Sequence, residues 1–193
     1  MLRSRCRGYN ACMAQALKQH PSSRGLAVGH IEVDLARPKP RSLVLSCTVT
    51  GNIGDLNLPA VAAAARSDEL WRHTCFEAFL QTSPGGAYFE FNFAPSTRWA
   101  AYRFDGYRSG MLAAEIDAPQ IEVRSEPTRF ILRAALELDR LLGPPSDATW
   151  HLGISAVIEE TSGNISYWAL AHPPGKADFH HSDCFAHELA WRP

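Results

Sequence analysis

Apolar and polar positions alternate with a period of two in a pair of runs between Trp71 and Ser96. In Tyr88-Phe-Glu-Phe-Asn-Phe93 this period places Phe89, Phe91 and Phe93 on one face of an extended strand and Tyr88, Glu90 and Asn92 on the other. The run Trp71 to Leu80 repeats the arrangement, with Phe76, Ala78 and Leu80 against Cys75, Glu77 and Phe79. Ser83-Pro-Gly-Gly86 between them is a turn signal, so the pair predicts a β-hairpin. Three phenylalanines in register form a core face. The opposite face, with Glu77, Tyr88, Glu90 and Asn92, is either solvated or binds a ligand.

The same pattern predicts strands over 28–35, 43–50, 98–105, 120–126, 129–138, 150–159, 165–171 and 185–191, most of them joined by short turns. Gly51 to Arg66 reads as a long connection with room for a short helix, and Gly106 to Pro119 as irregular. Asp139 to Leu142 predicts one helical turn ahead of Gly143-Pro-Pro145. With little helix and no alternation of strand and helix, the chain predicts an antiparallel β-sandwich or jelly roll.

Residues 1–25 carry Arg3, Arg5, Arg7, Lys18 and Arg24 and no acid. They lack the apolar core of a secretory signal and read as a disordered extension; a transit-like segment is the alternative. The folded domain is then 26–193. Its 46% hydrophobic and 20% charged residues are ordinary for a globular chain. A net charge of -1 gives no footprint for nucleic acid. No run of about 18 apolar residues suggests a membrane span. Five cysteines, Cys6, Cys12, Cys47, Cys75 and Cys184, show no Cys-x-x-Cys spacing. They read as reduced thiols in a cytoplasmic protein, with a Cys47–Cys75 or Cys75–Cys184 pair left open.

Two regions carry candidate chemistry. Around the hairpin, Trp71, Arg72, Glu77, Tyr88, Glu90 and Asn92 combine an aromatic platform with carboxylates and an amide, the mixture that recognises a saccharide or polyol. The bland alternative pairs the two glutamates with Arg72, Arg98 or Arg103. Two carboxylates also admit a glycosidase, and His73 beside Cys75 a nucleophile pair, but no further motif supports either. The second region is the loop from His172 to Phe185, with His172, Lys176, Asp178, His180, His181 and Cys184. Its spacing matches no metal motif. It reads as a structural or ligand-adjacent loop braced by a Lys176–Asp178 ion pair.

The segment Leu70-Trp-Arg-His-Thr-Cys-Phe-Glu77, followed by Tyr88-Phe-Glu-Phe-Asn92 and by Pro95, Ser96 and Trp99, resembles the DOMON and family 9 carbohydrate-binding module superfamily. With His172-Pro-Pro-Gly-Lys-Ala-Asp-Phe-His180, it resembles more closely the bacterial DOMON-like proteins. The resemblance covers about residues 28–190. It implies an immunoglobulin-like or jelly-roll sandwich that binds sugar or haem and performs no chemistry of its own. In the sugar-binding relatives two tryptophans sandwich the ring; Trp71 matches one, Trp168 is assigned as the second, and Glu77 matches a hydroxyl ligand. Glu90 falls where those relatives carry a basic residue, a reversal of charge. No cofactor is expected. The alternative that the resemblance implies is a non-covalent b-type haem held by Met111 and His172 or His180. The expected partner is thus a small saccharide-like molecule.

Overall fold

The computed structural model describes residues 13–141 and 148–191. Twelve strands appear in chain order: β1 (Met13–Gln19), β2 (Val28–Ala36), β3 (Ser42–Gly51), β4 (Cys75–Gln81), β5 (Tyr88–Phe93), β6 (Trp99–Phe104), β7 (Leu112–Ala113), β8 (Gln120–Glu126), β9 (Arg129–Glu137), β10 (Trp150–Glu159), β11 (Ile165–Ala169) and β12 (His187–Leu189). Among the described residues helix is limited to three single 3-10 turns, at Ile53–Asp55, Leu70–Arg72 and Ser182–Cys184.

All pairings between these strands are antiparallel, and the path β7-β6-β5-β4-β10-β11-β1-β2-β3-β9-β8 forms one continuous sheet, with β12 added to β10. The sheet curls back on itself and so makes the two layers of a β-sandwich. The fold change occurs at β1. Its residues Met13 to Leu17 pair with β2, and Lys18 and Gln19 then pair with Ala169 and Trp168 of β11.

The inner faces of the two layers fill one core. Ile31, Val33, Leu45, Cys47 and Leu132 come from one side; Phe91, Phe93, Trp150 and Ile154 come from the other, each 1% exposed or less. Phe76 of β4 and Phe130 of β9 stack across the gap, with ring centroids 6.1 Å apart and planes at 14°. The β4–β5 hairpin turns as its sequence predicts: Gly86 N–H donates to Ser83 O at 3.1 Å, and Gly85 takes the positive φ of 76° that a type II turn needs.

Strand β1 corrects one expectation. Residues 13–19 belong to the sheet and not to a disordered extension; residues 1–12 of that expected segment lie outside the described residues. The following residues are tied down too, since the backbone N–H groups of Leu26 and Ala27 donate to Glu160 Oε1 at 2.6 and 2.7 Å. Part of the helical turn expected at 139–142 also falls outside the described residues. Cys47, Cys75 and Cys184 are free thiols, so neither disulfide left open by the sequence forms; Cys6 and Cys12 lie outside the described residues.

Candidate functional site

Strand β4 is buried at all seven positions because both of its faces are covered. Its Phe76 face meets the core; its other face meets a second apolar cluster built from Phe79, Tyr88, Tyr102, Phe104, Val157 and Phe179. The cover on that side is the loop between β11 and β12. Its own turns are held together where the Cys184 thiol lies within donating distance of the carbonyls of Ala171 and Asp178, each at 3.2 Å. Between loop and sheet lies a cleft of about 790 Å³.

Register decides which side chains form its floor. Glu77 stands opposite Asn92 of β5 and Ser155 of β10, while Glu90 stands opposite Phe79 of β4 and Tyr102 of β6. The two glutamates are therefore diagonal neighbours on one face, as the hairpin pattern predicts, and both line the cleft. Glu77 is 3% exposed and its Oε2 accepts from Ser155 Oγ at 3.0 Å. Glu90 is 5% exposed; its Oε1 accepts from Asn92 Nδ2 at 2.7 Å. Its Oε2 lies 3.6 Å from His180 Nε2.

Burial, then the like charge of Glu90, pushes the Glu77 carboxyl up to about 8, against the opposing pull of Ser155 and Arg108. Burial also raises Glu90, opposed by Asn92 and Arg108. The pair thus retains a proton at neutral pH, because two adjacent buried carboxylates resist ionising together. Burial, then Arg108, lowers His180 to about 4, so its ring is neutral. Tyr88 OH lies 2.8 Å from His180 Nδ1 and accepts the Arg108 backbone N–H at 3.2 Å. With Tyr88 donating to Nδ1, the ring proton sits on Nε2, facing Glu90.

Trp71, 46% exposed, lines the cleft from the 3-10 turn that precedes β4, not from the strand itself. Arg72 lines it too, but its guanidinium is held by Glu69 at 2.7 Å and not by either floor glutamate. Arg103 pairs with Asp105 instead. Tyr88 and Asn92 are buried supports below the cleft surface; Asn92 Oδ1 accepts from the Cys75 thiol at 3.5 Å. His73 turns away to Glu159 at 2.8 Å, and burial holds the Cys75 thiol well above its usual range, so the two form no nucleophile pair.

The late loop divides. Lys176 and His180 line the cleft. Asp178 does not pair with Lys176 as expected. It accepts from Arg108 Nη2 at 2.8 Å, from Tyr107 OH and from the His180 backbone N–H at 3.2 Å, fastening the loop to the β6–β7 turn. His172 stands outside the cleft, with Nε2 against the Lys18 carbonyl at 2.8 Å. Met111 lines the cleft, but His172 does not join it, and both nitrogens of His180 face side-chain oxygens; no feature favours haem. Among the described residues no three His, Cys, Asp or Glu side chains converge as metal ligands.

Trp168 is the clearest correction. It is 4% exposed, packs in the main core and donates Nε1–H to Ser166 Oγ at 3.0 Å. Its neighbour Tyr167 lines the cleft. The aromatic wall of Tyr102, Phe104, Tyr167 and Phe179, and the cation Arg108, form the part of the site not foreseen. Alternation across β6 and β11 carries a signal for Tyr102, Phe104 and Tyr167. Arg108, in a loop with φ 50°, leaves none.

No family model matches the chain, and no curated protein matches it. Solved structures do. One is named a "putative carbohydrate-binding protein" from Bacteroides uniformis: TM-score 0.63 at 13% identity, covering 90% of this chain and 84% of that one. Another is a family 9 carbohydrate-binding module from Caldicellulosiruptor kristjanssonii in complex with cellotriose: TM-score 0.54 at 12% identity, covering 85% of this chain and 75% of that one. These likenesses show a shared β-sandwich fold.

Proposed function

We propose that the protein is a saccharide-binding module whose site is the cleft between the sheet and the late loop. The observation that carries this reading is the composition of that cleft. Half-exposed Trp71 and partly buried Tyr167 offer apolar surface, while Glu77 and Glu90 offer acceptors below. A sugar presents the matching pair, C–H faces and hydroxyl edges. A volume of about 790 Å³ lies within the range of small-molecule sites. The complex of a similarly folded family 9 module with cellotriose supports the reading.

Calorimetric titration with neutral mono- and oligosaccharides and amino sugars tests it. A saturable heat with at least one sugar is expected, and Trp71→Ala should weaken that binding about 10-fold, or ~1.4 kcal/mol. Trp168→Phe, altering only a core residue, should leave the affinity within about 3-fold while lowering stability. A panel that gives neither heat nor a shift in tryptophan fluorescence would sink the proposal.

A further inference from the structure

We infer that the sugar favoured by this cleft carries a protonated primary amine, and that Glu77 and Glu90 form the subsite for its ammonium group. This rests on the saccharide reading and narrows it. Both carboxylates are more than nine-tenths buried, yet among the described residues no lysine or arginine lies within 4.0 Å of either. Arg108, the cation that acts on them electrostatically, is engaged by Asp178. The remaining neighbour is the neutral His180. Burying carboxylates without a countercharge is costly, and a cationic ligand offsets that cost.

The hydrogen-bonding inventory points the same way. Among the described residues Glu77 Oε1 has no hydrogen-bond partner, and Glu90 Oε2 has only His180 at 3.6 Å. Three donors nearby are committed, Ser155 Oγ to Glu77, Asn92 Nδ2 to Glu90 and the Tyr88 hydroxyl to His180, which leaves the His180 Nε2–H and the single proton of the carboxyl pair. The four carboxyl oxygens of the floor still offer more acceptor sites than these donors fill. A hydroxyl both donates and accepts, whereas –NH₃⁺ has three donors and no acceptor. Trp71, Tyr102, Phe104 and Tyr167 line the cleft around it, and an aromatic ring face attracts a cation and repels an anion. At the rim Lys176 has no acid within 4.0 Å among the described residues, so a ligand with a second ammonium at that end is disfavoured.

The ammonium would displace the proton that the carboxyl pair holds, so binding should release protons. The test is calorimetry on the whole protein at about pH 6.5, in two buffers of different ionisation enthalpy. Glucosamine and galactosamine are each compared with the parent sugar and the N-acetyl derivative. One of the amines should bind at least about 10-fold tighter than both of its neutral counterparts, with a buffer-dependent heat that reports proton release. Glu77→Gln should reduce that preference to under about 3-fold, and Glu90→Gln provides the same reading if the first variant fails to fold. Neutral sugars that bind as well as the amines overturn the ammonium subsite and leave the saccharide module standing. Silence from the whole panel removes both.

Discussion

Phe76→Ala is expected to lower the unfolding free energy by about 3–5 kcal/mol, measured by urea or thermal denaturation. Phe76 is fully buried and packs among residues of both layers, with its ring stacked on Phe130 of the facing layer. Deleting the ring removes apolar surface from a close-packed core and leaves a cavity between rigid strands that cannot close around it. Phe89→Ala provides the contrast. Phe89 lies on the same face of the hairpin but is only partly buried at the margin of the core, so its cost should be about half as large or less. Equal costs for the two would mean that the layers do not meet at Phe76.

That contrast also shows how far the pattern of residues reaches. Period-two alternation identified the hairpin and put Glu77 and Glu90 on one face, because phenylalanine against glutamate leaves no doubt about which side is apolar. At Tyr167 and Trp168 the same rule says only that adjacent side chains diverge. Either aromatic suits a core, and the pairing of β11 with β10 decides that Trp168 points inward beside Ala156. Strand β1 has no such local signal. Ala14-Gln-Ala-Leu-Lys18 has little alternation of its own, and tertiary pairing with β2 and β11 makes it a strand. Arg108 and Asp178 lie seventy residues apart, and no local pattern could announce their pairing over that of Lys176 with its near neighbour.

The hairpin thus provides a floor, and the long-range contacts make it a site. Glu77 and Glu90 would be surface carboxylates if β4 and β5 ended in solvent. The late loop, fastened by Arg108 to Asp178, covers that face, and the burial that results raises both groups. The perturbation therefore reports the closed loop as much as the carboxyls themselves.

Glu77 should consequently contribute a fall in folding stability of about 2 kcal/mol between pH 6.5 and 8, read as the difference between the wild type and Glu77→Gln. Glu77 titrates near 8 in the folded protein, far above an unfolded glutamate near 4.3. A carboxyl raised in this way contributes its full stabilisation below the unfolded value and loses it as pH rises through the folded one. Over this interval the unfolded side chain is already ionised while the folded one keeps most of its proton. The slope approaches about 1.4 kcal/mol per pH unit for one proton. The histidines lowered by burial, His172, His180 and His187, act in the opposite sense at the lower edge of the window, because their unfolded forms still lose protons just above pH 6.5. His180, lowered to about 4, contributes stability above pH 6.5 that is lost on acidification. The buried thiols Cys47 and Cys184, raised to about 12, contribute stability that is lost only at alkaline pH. Denaturant titrations of the wild type and of Glu77→Gln at half-unit steps separate the glutamate from these groups. A wild-type stability that falls no more steeply than that of Glu77→Gln across the window would mean that Glu77 is ionised in the folded protein.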